Sequence, residues 1–332
     1  MPEFDFNFPQ KRICSSCVLP EDPPRIFLDD QGVCNVCASV HNKESRPLLE
    51  VDFVKMVNKY RDKKSRYDCL LMCSGGKDSV YSLYYLVKKC GFNPLVFTFD
   101  HHFENPEAME NVARATGKLG VDSVFLRTKF MHEAFKEVMQ QDNQASICQL
   151  CSIWYIQEVY KIAQTYRTPA VVAGWTKGQM SLGGSRAGEE YQAMTAGTSK
   201  FIKEVLRQKE KYKDFPLTMK EGVAKCQKKY KIKIISPHWF LDSTPDECAQ
   251  VIKKELDWRE PEESYPKGSS NCSLNFLSVY KSLKDHGYTH YHIELSNLIR
   301  RGEISREEAL KKLETEFSPS FLNDIYKKLF DR

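Results

Sequence analysis

One short segment of the chain carries the residue types that grip phosphate. Cys73-Ser74-Gly75-Gly76-Lys77-Asp78-Ser79 follows the apolar run Leu70-Leu71-Met72 and precedes a helical pattern of Val80, Leu83, Leu86 and Val87. Two glycines let backbone N–H groups approach an anion closely, and the helix that follows offers the positive end of its dipole. Ser74, Lys77 and Ser79 add donors and a cation, and Asp78 is a hard carboxylate suited to Mg2+ shared with phosphate oxygens. Two glycines alone would read equally as a tight turn. The whole Ser-Gly-Gly-Lys-Asp-Ser string between strand and helix specifies a phosphate cradle.

Cysteines supply a second chemistry. Cys14-x-x-Cys17 and Cys34-x-x-Cys37 flank a turn-rich stretch and match the two knuckles of a zinc ribbon, whose four thiolates close a tetrahedral site. A closed site has no position for substrate, so its expected role is folding and docking. Cys148-x-x-Cys151 opens another helical pattern (Trp154, Ile156, Val159, Ile162), and Cys272 ends Ser269-Ser270-Asn271-Cys272 ahead of a later helix. A dithiol for redox or persulfide transfer and plain packing at two helix starts are both open for these. Cys69, Cys73, Cys90, Cys226 and Cys248 read as core thiols. His101-His102 follows the second apolar run and offers an acid or base, while Tyr288, His290, Tyr291 and His292 read as ordinary tail residues.

Elements must hold these groups in place. Short apolar runs at 67–73, 95–99, 123–126, 170–173 and 233–235, separated by helix-length segments, predict an α/β fold with a parallel sheet and right-handed crossovers. The ligand site is then expected at the carboxyl ends of the strands. Asn105-Pro106, Thr244-Pro245-Asp246-Glu247 and Ser305-Arg306-Glu307-Glu308 are helix starts. Residues 178–215, with Gly183-Gly184-Ser185, Arg186 and Glu189-Glu190, break the rhythm and predict a long active-site loop or a small helical insertion. The chain divides into a zinc-ribbon module (1–45), a linker helix (46–66), the α/β domain (67–265) and a helical C-terminal region (266–332).

Composition sets the outer bounds. With 332 residues, 41% hydrophobic and 28% charged, the chain can bury a sizeable core and wholesale disorder is not expected. A net charge of +5 permits anionic substrates without marking a dedicated nucleic-acid binder. Basic stretches at 203–213 and 228–233 fit either tRNA phosphates or solvated faces. No apolar run reaches the roughly 18–20 residues of a membrane span, and Met1-Pro2-Glu3-Phe4-Asp5 lacks the features of a secretion signal. A soluble, cytoplasmic protein is expected, where C-x-x-C pairs bind metal more readily than they form disulfides.

The common P-loop needs a glycine six residues before its lysine, where Leu71 stands here. The string from Ser74 to Ser79 instead resembles the S-G-G-x-D-S loop of the PP-loop ATP pyrophosphatases, an adenine nucleotide α-hydrolase-like superfamily. The resemblance implies that ATP is split between its α and β phosphates. Ser74, Gly75, Gly76, Lys77, Asp78 and Ser79 would hold the departing pyrophosphate while a substrate carbonyl oxygen attacks the α-phosphorus. The O-adenylate so formed turns a poor oxygen leaving group into AMP. Lys77 and Asp78 take catalytic roles in this scheme, Phe97, Thr98 and Phe99 lie where adenine meets the second strand, and Gly174 ends the fourth. Lys177, three residues on, is expected to reach the α-phosphate or substrate.

Two narrower resemblances divide the second half-reaction. A mid-domain C-x-x-C with one later cysteine resembles PP-loop enzymes that thiolate tRNA bases, which implies a 4Fe-4S cluster on Cys148, Cys151 and Cys272 with one iron left open for sulfide. The opening Cys14-Ser15-Ser16-Cys17-Val18-Leu19-Pro20, the Gly32-Val33-Cys34-Asn35-Val36-Cys37 segment and the tail at 298–310 resemble the N-acetyl sugar amidotransferases of surface-polysaccharide biosynthesis. That family's Gly-Glu-Asn after the fourth strand is here Gly174-Trp175-Thr176, and Pro2 stands where an N-terminal cysteine nucleophile would have to be. The leading expectation is adenylation of a sugar acetamido oxygen and displacement by ammonia from a separate glutaminase. The alternatives are sulfur transfer from a separate donor protein to a tRNA base or small amide, and a non-catalytic nucleotide-binding scaffold. ATP, Mg2+ and Zn2+, with the cluster in the second case, are the implied cofactors.

Overall fold

The computed structural model describes residues 3–40, 48–179, 189–226, 231–266, 271–314 and 318–331. After α1 (Asn35–Val40) and α2 (Glu50–Tyr60), strands and helices alternate: β1 (Cys69–Met72), α3 (Lys77–Tyr84), β2 (Pro94–Asp100), α4 (Pro106–Leu119), β3 (Ser123–Arg127), α5 (His132–Gln140), α6 (Ile147–Thr165) and β4 (Ala170–Ala173). Then come α7 (Glu189–Glu204), α8 (Met219–Cys226), β5 (Lys233–Ile235) and α9 (Pro245–Leu256), and a helical end of α10 (Leu274–His286), α11 (His290–Arg300), α12 (Arg306–Leu313) and α13 (Pro319–Phe330). In the 178–215 segment the described part is thus helical, while Gly183, Gly184, Ser185 and Arg186 lie outside the described residues.

The five strands form one parallel sheet in the order β3-β2-β1-β4-β5. Every residue of β1, β2 and β4 is buried, because helices cover both faces and leave no solvated side that would call for alternation. Successive side chains still go to opposite faces. Leu70, Met72, Phe97 and Val171 join a core beneath α5, α6, α10 and α13, and Leu71, Val96 and Val172 join a second with Phe53, Val80 and Ile252 of α2, α3 and α9. The linker helix is therefore packed onto the domain through Phe53 and Val57. From β1 the chain builds outward through β2 to β3, then returns to β4 on the other side. That reversal opens a crevice at the carboxyl ends of β1 and β4.

Helix starts follow the sequence signals. Asn105 accepts from the Glu107 N–H at 2.9 Å, and Thr244 and Ser305 form capping boxes with Glu247 and Glu308. The tail reading of Tyr288 and Tyr291 is corrected: Tyr288 is buried in the core of the cysteine module, and the Tyr291 hydroxyl donates to Asn275 Oδ1 at 3.1 Å. Among the described residues no helix is long and apolar enough to cross a membrane.

Candidate active site

β1 leads straight into the glycine turn. The Cys73 N–H donates to the Phe97 carbonyl at 2.9 Å, after which the chain leaves the sheet and α3 begins with Gly76 as its N-cap. Gly75 has φ +80°, and a Cβ there would lie 1.8 Å from the Ala108 carbonyl oxygen, so only glycine fits. Ser79 ties the turn together: its hydroxyl donates to the Gly76 carbonyl at 3.0 Å and accepts from the Ser74 N–H at 3.2 Å. Lys77 Nζ lies 2.8 Å from Asp78 Oδ1, which places a cation and a carboxylate side by side at the first turn of α3. All six loop residues from Ser74 to Ser79 are brought together here.

Four residues that sequence reading missed hold this turn from outside. Trp258 Nε1 and Asn111 Nδ2 both donate to the Gly75 carbonyl, at 3.0 and 3.2 Å. His238 Nε2 donates to the Asp78 carbonyl at 2.8 Å, and Asn271 Nδ2 donates to Ser74 Oγ at 3.2 Å. Nothing local marks these side chains, since all come from distant parts of the chain.

Gly174, at the end of β4, presses against the start of α3: a Cβ there would lie 2.6 Å from the Ser79 nitrogen. Lys177 Nζ lies 2.7 Å from Glu303 Oε1. Phe97 and Thr98 lie inside β2, which continues past Phe97, its last β1 partner, to Asp100. The Thr98 hydroxyl donates to the Cys73 carbonyl at 2.9 Å, and the Phe99 ring packs edge-on against Trp154. Beyond that end, Asp100, His102, Glu104, Arg127 and Lys328 line an open cavity of about 430 Å³.

Next to Glu104, one of the residues lining that cavity, stands a group of thiols and His101. His101 is buried, its Nδ1 accepts from the Phe103 N–H at 3.3 Å, and its Nε2 stands 3.5 Å from Cys272 Sγ and 3.4 Å from Glu104 Oε1. The acceptor role of Nδ1 leaves the proton on Nε2, so His101 faces Cys272 as a donor. Burial lowers the His101 pKa to about 4, and burial with Asp100 raises that of Glu104 to about 8. Cys272 is raised by burial and then by Glu104, Cys148 and Cys151; Cys151 by burial, Cys148 and Glu104. Cys148 rises to about 11 from burial, with Glu104 and Glu294 adding to it. Cys148 thus acts on Cys151, and both act on Cys272. Burial also lifts Glu294 to about 7, opposed by Gln179, whose Nε2 donates to Oε1 at 3.3 Å.

Cys14, Cys17, Cys34 and Cys37 are all buried, with their sulfurs within 4.8 Å of one another. The N–H groups of Ser16, Cys17 and Cys34 point at Cys14 Sγ, that of Leu19 at Cys17 Sγ and that of Cys37 at Cys34 Sγ. Four sulfurs ringed by N–H donors are a donor set for a thiolate-bound metal, and fit Zn2+. Cys148, Cys151 and Cys272 do not close so tightly: among the described residues, the other group within that spacing is His101, Glu104 and Cys272. Three neighbouring thiols whose sulfurs do not all lie within 4.8 Å of one another are compatible with a group larger than one ion.

The basic stretch at 203–213 is largely neutralised, since Lys209 pairs with Glu133 and Glu137, and Lys213 with Glu210. Lys228 and Lys229 lie outside the described residues.

Comparison with known proteins agrees with the loop. A family model described as thiamine biosynthesis protein (ThiI) matches residues 64–185, from just before β1 past the end of β4. An uncharacterized protein of Methanocaldococcus jannaschii is 22% identical over 319 residues, covering 95% of this chain and 97% of its own. Among solved structures, the U34-tRNA thiolase NcsA from Methanococcus maripaludis with its 4Fe-4S cluster is 15% identical at a TM-score of 0.37, covering 92% of this chain and 91% of that one. An NH3-dependent NAD synthetase from Campylobacter jejuni is 12% identical at a TM-score of 0.40, covering 81% and 95%. The glycine loop and the parallel sheet agree with the resemblance to the PP-loop ATP pyrophosphatases, and the matched family model spans that loop and four of the five strands.

Proposed function

We propose that the protein adenylates the carbonyl oxygen of an amide-like substrate and replaces that oxygen with sulfur. The observation that carries this reading is that Cys148 and Cys151 both lie near enough to Cys272 to raise its thiol, while Asn271, the residue before Cys272, donates to Ser74 of the glycine loop. Amidation by ammonia gives those three thiols no task.

In this reading the loop N–H groups, Ser74 and Lys77 bind the β and γ phosphates, and Asp78 shares Mg2+ with them. Adenine lies along the end of β2 near Phe97, Thr98 and Phe99. The substrate carbonyl oxygen forms a bond to the α-phosphorus as pyrophosphate leaves. Sulfur then bonds the activated carbon, the carbon–oxygen bond breaks, and AMP departs with the oxygen. Lys177 reaches the α-phosphate only when its pair with Glu303 opens. A 4Fe-4S cluster on Cys148, Cys151 and Cys272 would supply the sulfur, and Zn2+ on the N-terminal cysteines would hold that module's fold. The substrate class is a nucleobase or similar cyclic amide, free or within tRNA, with sulfur delivered by a separate donor protein.

Anaerobic purification tests this together with an AMP assay. Iron and acid-labile sulfide near four each per chain are expected, with AMP and pyrophosphate released in equal amounts when sulfide and a uridine-containing acceptor are added. Lys77→Ala and Asp78→Ala should remove AMP formation and leave the melting temperature unchanged. A colourless protein carrying only zinc, with AMP release driven by ammonia and an N-acetyl sugar, sinks the proposal in favour of amidation.

A further inference from the structure

We propose that Asn271 is a polyphosphate ligand, its side-chain amide donating to a phosphate oxygen held in the glycine loop; this rests on the reading of that loop as the ATP cradle. Position is the first argument. Asn271 Nδ2 donates to Ser74 Oγ at 3.2 Å, and a Cβ built on Gly76 would meet Nδ2 at 2.2 Å and Cγ and Oδ1 at 3.1 Å. The amide therefore lies over the inner glycine of the turn, on the side that the missing side chain leaves open. One of its two N–H groups is committed to Ser74, and the other is a donor at the mouth of the loop.

Anchoring is the second argument. The Asn271 carbonyl accepts from the Asn105 N–H at 2.6 Å, Cys272 forms an antiparallel bridge with Glu104, and the Ser273 N–H and hydroxyl both donate to the Phe103 carbonyl, at 2.8 and 3.0 Å. These contacts fix the segment to the loop between β2 and α4, so the amide needs no closing motion to meet a ligand. Charge is the third. Lys77, the cation of the loop, is already paired with Asp78. A group bearing several negative charges gains from every further neutral donor aimed at it, because hydrogen bonds to charged acceptors are the strong ones.

The alternative is that Asn271 merely steadies Ser74, and substitution by aspartate separates the two. An aspartate accepts from the Ser74 hydroxyl and preserves a steadying role, yet it repels phosphate. Titration calorimetry of the full chain with magnesium pyrophosphate, and separately with adenosine, reads both. Asn271→Ala is expected to weaken pyrophosphate about tenfold, the loss of one hydrogen bond to a charged group. Asn271→Asp should weaken it further than the alanine variant does, and adenosine affinity should be unchanged in both, which also reports that the site is folded. Pyrophosphate affinity in Asn271→Asp equal to the unsubstituted protein, or closer to it than Asn271→Ala, overturns the ligand role. If the unsubstituted protein binds neither pyrophosphate nor adenosine, the reading of the loop itself fails instead.

Discussion

Glu294 shows what position does to a single side chain. Burial raises its carboxyl from the ordinary 4.5 to about 7, so the folded state holds the proton more tightly than the unfolded state does. Its contribution to stability is full below about pH 4.5 and is lost as the pH rises through about 7. Glu294→Gln stays neutral throughout and should remove that loss, with a gain at pH 8 of up to about 3 kcal/mol at 1.36 kcal/mol per pKa unit. Urea unfolding of both proteins at pH 5 and pH 8 measures it; the same difference between the two pH values in each would contradict the assignment. Glu294 is also a residue that sequence reading passed over, as are Asn111, His238, Trp258 and Asn271. The residues from Ser74 to Ser79 were legible because they are contiguous and set their own geometry. The others acquire a role only when the fold closes, and His238 meets Asp78 across 160 positions. Lys177 was placed at the right strand end, but its direction depends on Glu303, 126 positions away.

At the scale of elements, the central strands were readable because burial on both faces demands unbroken apolar runs, and β4 falls on the expected residues; the partly exposed edge strand β5 does so too. β1 is shorter than its apolar run, since pairing stops where the turn begins. Contacts between elements were not readable. β4 meets α3 at Gly174, where a Cβ would lie 2.6 Å from one backbone nitrogen and 2.7 Å from the Cα of Ser79. Backbone cannot swing aside as a side-chain tip can, so Gly174→Ala should lower stability by about 1–3 kcal/mol and displace the loop that α3 begins. Both effects are measurable, by thermal melting and by affinity for an ATP analogue. A variant with unchanged affinity would mean that the loop does not depend on this contact.

Across the whole molecule, the first and last parts of the chain form one unit. Arg306 Nε donates to the carbonyls of Cys14 and Cys17, Arg300 reaches Cys17 and Cys37 sulfurs, the Val18 N–H donates to Ser296 Oγ, and the Tyr288 hydroxyl donates to Asp22. Stripping metal from the four cysteines, or Cys34→Ser, should therefore loosen α11 and α12 as well as the module itself. Hydrogen exchange on the intact protein reads this, and protection lost only in residues 13–37 would show that the two ends are uncoupled. The same interlock governs how the protein comes into being. Cys14 leaves the ribosome 292 positions ahead of the arginine that clasps it, so the nascent module lacks its docking wall until α11 and α12 have been made.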